Sequence, residues 1–309
     1  MNYKKIVKSE KARYAILNLL QFIPDKSMIK MQYRIKTGRH LDLNNPRRYS
    51  EKLQWYKLYY RNPLMPECAD KYSVRKYVKE RGFEYILNEC YGVYDKIEQI
   101  NWDSLPKSFV FKDTLGGGGR SMVFVYDKDK INRNDVEVVL QRWLNTSLNR
   151  KSSGREWIYE GRKHRIIAEK ILVGSSDGDL PDYKFFCFNG KVFCSYMMQN
   201  YTMHHELGIL GFLDRNFNLL EAHRADFAPM HTQPEKPKNY DIMVEIAEKI
   251  SDAFPHVRVD FYNLDGKIVF GEMTFFNASG YVQFDPDSFD YEMGDQFILP
   301  LQENCKISR

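Results

Sequence analysis

A lysine and four consecutive glycines lie between two strand-like runs, in the order Lys112 and then Gly116–Gly119. Glycines leave backbone N–H groups open to an anion, and a lysine beside them adds positive charge. In a Walker loop or a dinucleotide fingerprint the glycines lead into a helix, but here the following residues, Met122–Tyr126, favour a strand. The pattern predicts a hairpin whose glycine loop closes over a polyphosphate. The alternative is an ordinary glycine-rich turn.

A second group of residues that could do chemistry lies within residues 257–280. This segment predicts two strands around the three-residue loop Leu264–Gly266. In that register Arg258 lies opposite Glu272, and Asp260 is a diagonal neighbour of Glu272 on the same face, about 7 to 8 Å away at the backbone. A two-residue loop would separate the carboxylates, because a shift of one residue inverts a strand. Paired carboxylates suit Mg²⁺ ions that bridge nucleotide phosphates; the alternative is a solvated face with a Glu–Arg pair.

Together the two hairpins resemble those of the ATP-grasp superfamily, which hold ATP between two α+β halves. Their order along the chain matches, and Arg165–Leu172 resembles the hinge strand in which Glu169 would take the adenine amino group. Asp70-Lys71 and Asp182–Gly190 resemble the segments that bring further basic residues to the phosphates. The resemblance assigns contacts with ATP to Lys71, Lys112, Gly116, Gly117, Gly118, Gly119, Glu169, Lys170, Ile171, Leu172 and Lys184.

Residues 37–78 resemble the signature region of the TupA-like branch of that superfamily, named for teichuronopeptide biosynthesis. The branch carries Glu-x-Thr where better-known ligases have Glu-x-Asn, and Glu272-Met273-Thr274 follows it. The resemblance implies that Asp260 and Glu272 bind Mg²⁺, with either Thr274 or Asn277 as the third ligand. Proteins of this branch are often encoded with capsule or cell-surface polysaccharide genes and are frequently labelled glycosyltransferases.

The resemblance implies a carboxylate–amine ligase that acts on surface-glycan precursors. In the reaction that we expect, a carboxylate attacks the γ-phosphorus of ATP, and an amine then displaces phosphate from the acyl phosphate. Lys184 would stabilise the transferring group, and Arg258 would grip the carboxylate or the tetrahedral intermediate. Asp182 is a candidate general base. The product that we expect is an amino acid joined by an amide bond to a uronic acid.

Two other functions remain open from the sequence. A metal-dependent glycosyltransferase would use the triplet Asp177-Gly178-Asp179, whose surroundings are also typical of a plain turn. A nucleotide-gated binding protein would keep the ATP site without chemistry. The pair His204-His205 has no third ligand at metal-site spacing, and the sequence contains no serine or cysteine nucleophile motif.

Positive charge is concentrated at the N-terminal end. Residues 1–60 contain fourteen lysines and arginines and four acidic residues, a net of +10, whereas the whole chain carries +5. This end favours an acidic glycan, a lipid-linked glycan precursor, or acidic phospholipid that residues 12–23 approach peripherally; a solvated basic helix is the alternative. Nucleic acid is not expected, because no helix-turn-helix, RNP or zinc pattern accompanies the charge.

The expected location is the cytoplasm, with contact to the inner face of the membrane as an option. Residues 14–23 are apolar for only about half the length of a membrane span. The five cysteines are an odd number without CxxC spacing, which favours reduced thiols.

Hydrophobic periodicity predicts the elements that position these residues. Helices are predicted near 10–22, 50–61, 70–81, 134–148 and 240–252. Strands are predicted near 108–113, 121–126, 164–171, 183–188, 192–197, 256–262 and 267–274. Strands and helices alternate without long parallel runs, so the fold class is α+β. The expected domains are a basic helical region at 1–65, an α/β part at 66–107, an ATP-grasp lid at 108–170 and a large subdomain with the metal site at 171–309.

Overall fold

The computed structural model describes residues 20–117, 121–146, 151–174, 180–199 and 208–301. Its helices are α1 Asp25–Thr37, α2 Tyr49–Tyr59, α3 Leu64–Ala69, α4 Val74–Glu80, α5 Arg133–Leu144, α6 Tyr240–Ser251 and α7 Ser288–Gln296. Its strands are β1 Cys90–Tyr94, β2 Phe109–Asp113, β3 Met122–Val125, β4 Ile166–Glu169, β5 Asp182–Phe188, β6 Lys191–Gln199, β7 Ile209–Asp214, β8 His223–Arg224, β9 Ala228–Pro229, β10 His256–Leu264, β11 Lys267–Thr274 and β12 Phe284–Asp285. Most of the predicted helix near 10–22 lies outside the described residues.

The first sheet has four antiparallel strands in the order β1, β4, β2 and β3. One of its faces is buried under α5, where Phe111 packs with Trp102 and Leu140. Side chains alternate along a strand, so Lys112 lies on the opposite face. The register of β2 with β4 places Glu169 on that same face. The buried aromatic residues of β2 thus orient the two polar side chains of this sheet together.

The second sheet has six strands in the order β11, β10, β5, β6, β7 and β9, and β9 pairs parallel with β7. Helix α6 covers one face, where the ring of Phe185 lies 5.5 Å from that of Tyr240. The next position along β5, Lys184, points to the other face and pairs across the strands with Asp260 of β10. Burial of one face under α6 therefore fixes which side chains line the other.

The turn between β10 and β11 has two residues, so the predicted three-residue loop is wrong. Leu264 pairs with Lys267, and the central residues Asp265 and Gly266 both have positive φ, 49° and 93°. These are the dihedrals of a type I′ turn, for which Asp-Gly is a preferred sequence. A three-residue loop would pair Asn263 with Lys267, whereas Asn263 pairs with Ile268.

A β-bulge in β11 restores the shared face that the two-residue turn would have removed. The register shifts between Asp260 and Phe261, and Gly271 is the extra residue on the opposite strand. Asp260 consequently lies directly opposite Glu272, not diagonal to it as predicted. The predicted pairing of Arg258 with Glu272 is also wrong, because Arg258 pairs with Thr274.

The N-terminal helices pack against the second sheet. The ring of Tyr49 in α2 lies 6.1 Å from that of Phe186, and its hydroxyl bonds His256 Nε2 at 2.9 Å. Burial lowers the pKa of His256 to about 3, so the ring is neutral, donates from Nδ1 to Cys187 O and accepts from Tyr49. Within the described residues, no helix is long and apolar enough to cross a membrane.

Candidate active site

The glycine hairpin joins β2 to β3, and its first glycine has no room for a side chain. A Cβ on Gly116 would lie 2.2 Å from Ser121 Cβ. The Nζ of Lys71 donates a hydrogen bond to Gly116 O, and the Lys71 N–H donates to Thr114 O at 2.9 Å. Lys71 thus lies against the loop, as a residue that binds the same phosphates would. Gly117 is described, whereas Gly118 and Gly119 lie outside the described residues.

Asp70 fixes the backbone that carries Lys71. Its carboxylate accepts hydrogen bonds from Ser73 N at 2.7 Å, Tyr72 N at 3.0 Å and Arg165 Nη2 at 2.9 Å. Burial acts to raise the pKa of Asp70, but these contacts, led by that from Ser73, lower it overall. The anionic form is therefore the one that the fold stabilises, and it joins the start of α4 to β4.

Glu169 is bound by two cations. Lys112 Nζ lies 2.8 Å from Oε2, and Arg75 Nη1 lies 3.3 Å from Oε1. Arg75 also donates to Asn88 O at 2.8 Å. The carboxylate is therefore held in place by one cation from β2 and one from α4. Arg75 was missed from the sequence; its one signal is its place on α4, four residues after Lys71.

The backbone of Lys170 is already paired. Its N–H donates to Glu89 O at 3.0 Å, and its carbonyl accepts from Asn88 Nδ2 at 2.9 Å. The adenine-edge contacts predicted along Lys170, Ile171 and Leu172 stay a prediction, in which the backbone of Lys170 already has these two partners. Ile171 and Leu172 are partly exposed residues of the segment that follows β4.

On the second sheet, Lys184 lies between two carboxylates. Its Nζ is 2.5 Å from Asp182 Oδ2 and 2.7 Å from Asp260 Oδ2. Burial acts to lower the pKa of Lys184, but Asp182 and Asp260 outweigh it and raise the pKa. Burial likewise acts to raise the pKa of Asp260, and Arg258 and Lys184 outweigh it and lower the pKa. The site holds a buried ammonium beside a buried carboxylate, both charged.

Arg258 gathers the four predicted metal ligands around its guanidinium. It binds Asp260 through Nε at 2.7 Å and through Nη2 at 2.6 Å. Its Nη1 donates to Asn277 Oδ1 at 2.6 Å, and Nη2 donates to Thr274 Oγ1 at 3.0 Å and Glu272 Oε1 at 3.1 Å. The structure therefore brings together side chains from β10, from β11 and from the turn that follows β11.

The donor set fits a divalent cation of the Mg²⁺ type. Asp260, Glu272, Thr274 and Asn277 offer only oxygen, the ligand that this ion prefers. The described residues contain no cluster of three or more acidic, His or Cys side chains that could hold a metal. Mg²⁺ here would depend on two carboxylates, neutral oxygens and substrate phosphates, which is its usual mode in nucleotide-binding enzymes.

The turn that carries Asn277 is fixed by hydrogen bonds from a buried lysine, Lys57. Ala278 and Ser279 both have positive φ, 44° and 59°, a conformation that non-glycine residues adopt only where surrounding contacts impose it. Lys57 Nζ donates to Ser279 O and Gly154 O at 2.8 Å and to Gln54 Oε1 at 3.0 Å. Sequence reasoning missed Lys57, because a lysine within an amphipathic helix looks like a solvated one.

Several predicted residues cannot be placed. Asp177 and Asp179, the triplet of the glycosyltransferase alternative, lie outside the described residues. The same holds for His204 and His205.

A glycine hairpin beside the strand of Glu169 on one sheet, and a cluster of cations and carboxylates on another, are the arrangement of a protein of the ATP-grasp class. The sequence pattern of the family described as TupA-like ATPgrasp matches residues 51–298. The chain therefore belongs to the TupA-like ATP-grasp family.

A comparison with curated proteins finds no match. Among solved structures, the chain is similar to D-alanine–D-alanine ligase from Bacillus anthracis, with 18% identity, a TM-score of 0.45, and 75% of this chain and 67% of that chain covered. D-alanine–D-alanine ligase from Helicobacter pylori is 15% identical with a TM-score of 0.46, and 81% of this chain and 69% of that chain are covered. N5-carboxyaminoimidazole synthetase from Staphylococcus aureus, complexed with ADP, is 13% identical with a TM-score of 0.41, and 67% of this chain and 44% of that chain are covered. The chain thus spans from 44% to 69% of the length of these three proteins. Likeness at this level carries no information on substrate or activity.

Proposed function

We propose that the protein is an ATP-dependent carboxylate–amine ligase that forms an amide bond through an acyl phosphate. The observation that carries the proposal is a pair of cations, the buried Arg258 and the largely buried Lys184, held by the buried carboxylate of Asp260. Fixed charges in water-poor surroundings stabilise the negative charge that develops during phosphoryl and acyl transfer. Because the chain belongs to the TupA-like ATP-grasp family, we assign ATP as the nucleotide that binds at this site.

ATP would be bound mainly by the first sheet. Lys71, Lys112 and the glycine loop from Gly116 onward would contact the phosphates, and the contact of Lys71 with that loop supports this assignment. Glu169, oriented by Lys112 and Arg75, would accept from the adenine amino group. Ile171 and Leu172 would supply the remaining backbone contacts.

Asp260 and Glu272 would hold Mg²⁺, with Thr274 or Asn277 as a third ligand. When bound, this ion neutralises charge on the phosphates. Arg258 would bind the substrate carboxylate or the tetrahedral intermediate, and its contacts with all four of these side chains support this role.

The bonds change in two steps. A carboxylate oxygen attacks the γ-phosphorus, the bond to ADP breaks and ADP leaves, with Lys184 beside the transferring group. The amine nitrogen then attacks the acyl carbon, and the bond between that carbon and the phosphate oxygen breaks. Asp182 would take the proton of the amine, because its Oδ1 is buried without a hydrogen-bond partner among the described residues. Burial, opposed by Lys184, raises the pKa of Asp182, which makes its carboxylate a stronger base.

For substrates, we propose an amino acid as the amine and a uronic acid of a cell-surface polysaccharide or its lipid-linked precursor as the carboxylate. The support is the net charge of +10 over residues 1–60, which favours an acidic partner. The reaction would take place in the cytoplasm, where ATP is available.

Product release separates this function from its competitors. Purified protein, incubated with ATP, an amino acid and a uronate oligosaccharide, should release ADP over many turnovers only when all three are present, because without the amine the reaction stops at the acyl phosphate after one equivalent of ADP. Release of UDP from a UDP-sugar would replace the ligase with the glycosyltransferase that Asp177 and Asp179 suggest. Binding of ATP without release of either product, across a panel of amino acids and uronates, would indicate a nucleotide-gated binding protein.

A further inference from the structure

Helix α1 is fixed to the body of the protein by one face. Ile29 and Tyr33 are buried in a core shared with Trp55 of α2. Gln32 donates to Ser153 O at 2.9 Å and accepts from the Tyr281 hydroxyl at 2.7 Å. Because Tyr281 follows the turn that carries Asn277, α1 has a defined position beside the candidate active site.

The opposite face of α1 carries a row of cations. Lys26, Lys30 and Arg34 are four residues apart, exposed, and form no ion pair among the described residues. The acidic residue of this helix, Asp25, is neutralised by Lys151 at 2.8 Å and Arg155 at 3.1 Å. The charged side chains on the exposed face are therefore all basic.

Exposed apolar side chains run beside this row. Met31 and Ile35 lie one turn apart and are 39% and 45% exposed. Phe22, four residues before Lys26, is 81% exposed. A basic row next to an apolar row on one helix is the pattern of helices that lie in the plane of a membrane interface.

We propose that the exposed face of α1 docks on an anionic phospholipid surface. Lys26, Lys30 and Arg34 contact the headgroups, while Met31 and Ile35 enter the upper part of the acyl region. The basic N-terminal sixty residues attract such a surface, whereas the rest of the chain carries a net negative charge that it repels. The protein therefore approaches the membrane through α1.

The apolar row favours lipid over a soluble acidic glycan. A polyanion in water gains from the three cations but not from Met31 and Ile35, whereas a bilayer removes both side chains from water. Docking through α1 would hold the turn with Asn277 at a fixed distance from the membrane. This orientation is independent of the proposed ligase chemistry, and each can fail without the other.

Sedimentation of the full chain with vesicles tests the proposal. The protein should bind vesicles of phosphatidylcholine with phosphatidylglycerol and not phosphatidylcholine alone. Replacing Lys26, Lys30 and Arg34 together with Gln should lower the partition coefficient about a hundredfold. Met31→Ser with Ile35→Ser should also lower it, without changing the net charge. Melting temperatures near that of the parent show that these exposed changes leave the fold intact.

A matched control removes the same charge elsewhere. Lys76, Lys79 and Lys267 are exposed lysines away from α1, and replacing all three with Gln should lower the partition coefficient far less. Equal losses from the two triple variants would overturn docking through α1. If a soluble polyuronate binds as tightly as the vesicles and the Met31/Ile35 variant binds both unchanged, the face binds an acidic glycan instead and the proposal is wrong.

Discussion

Asp260 lies directly opposite Glu272 across the β10–β11 hairpin, although the two-residue turn alone would place them on opposite faces. The bulge at Gly271 adds the one residue that returns Glu272 to the face of Asp260. A Cβ on Gly271 would lie 3.1 Å from the backbone oxygen of Asp260. The carboxylate pair thus depends on a glycine that takes no part in the chemistry.

Gly271→Val should therefore reduce ADP formation about a hundredfold, because a displacement near 1 Å at a catalytic group has that effect. The matched control is Gly266→Asn in the turn of the same hairpin, where nothing lies near an added Cβ and the φ of 93° puts strain on the turn but not on the bulge. Steady-state ADP release checks both. Full activity in Gly271→Val would show that the bulge does not set the spacing of the carboxylates.

Substitutions of Glu272 and Asp260 should differ in their effect on stability, although both should abolish activity. Glu272→Gln should abolish ADP formation with little loss of stability, since its side chain is 42% exposed. Asp260→Asn should in addition lower the free energy of unfolding by about 3 to 5 kcal/mol, because it leaves Arg258 and Lys184 as buried cations without their shared carboxylate. Urea unfolding and ADP release measure the two effects. An active Glu272→Gln variant would contradict the metal site.

MgATP should stabilise the protein, whereas a UDP-sugar should not. At a hundred times its dissociation constant, the nucleotide raises the free energy of unfolding by about 2.7 kcal/mol. Arg75→Leu should raise the dissociation constant of MgATP, because Glu169 loses one of the two cations that orient it. Lys76→Leu, on the same helix and 83% exposed in its side chain, is the control. Equal affinities for the two variants would remove Arg75 from the nucleotide site.

Lys57 should make stability depend on pH. Burial lowers its pKa to about 7, with Glu156 opposing the shift and Lys36 adding to it. In the unfolded chain its pKa is about 10.4, so between these values the unfolded state binds a proton that the folded state does not. The free energy of unfolding consequently rises with pH across this window. The difference in unfolding free energy between the parent and Lys57→Met should thus grow from about pH 7 to about pH 10. A difference that stays constant would mean that Lys57 remains charged when folded.

The sequence was sufficient to predict which side chains share a face where alternation along a strand decides it. Lys112 and Glu169 share a face because Phe111 and Ala168 are buried on the other one. The strand and helix bounds near 109–113 and 240–251 were predicted closely for the same reason. Helices α1 and α7 and strand β7 were missed, since their buried faces become evident only against neighbours that are distant in sequence.

The hairpin shows why site geometry is harder to predict than strand existence. The turn length was predicted wrongly and the bulge not at all, and the two errors cancel at Asp260 and Glu272. Asp265-Gly266 does signal a type I′ turn, but a glycine such as Gly271 inside a strand marks only one of several irregularities. Lys57 carries no such signal, and Arg75 has only its position four residues after Lys71, because the roles of both come from contacts with segments that are distant in sequence.

The most direct test of the ligase is mass spectrometry of the surface glycan from cells that produce the parent protein or the Glu272→Gln variant. The ligase account predicts that the variant glycan lacks an amino-acid increment carried by an amide bond on a uronic acid, while its sugar backbone is unchanged. Loss of a whole sugar residue, with no amide in the parent glycan, would contradict amide formation and support glycosyl transfer.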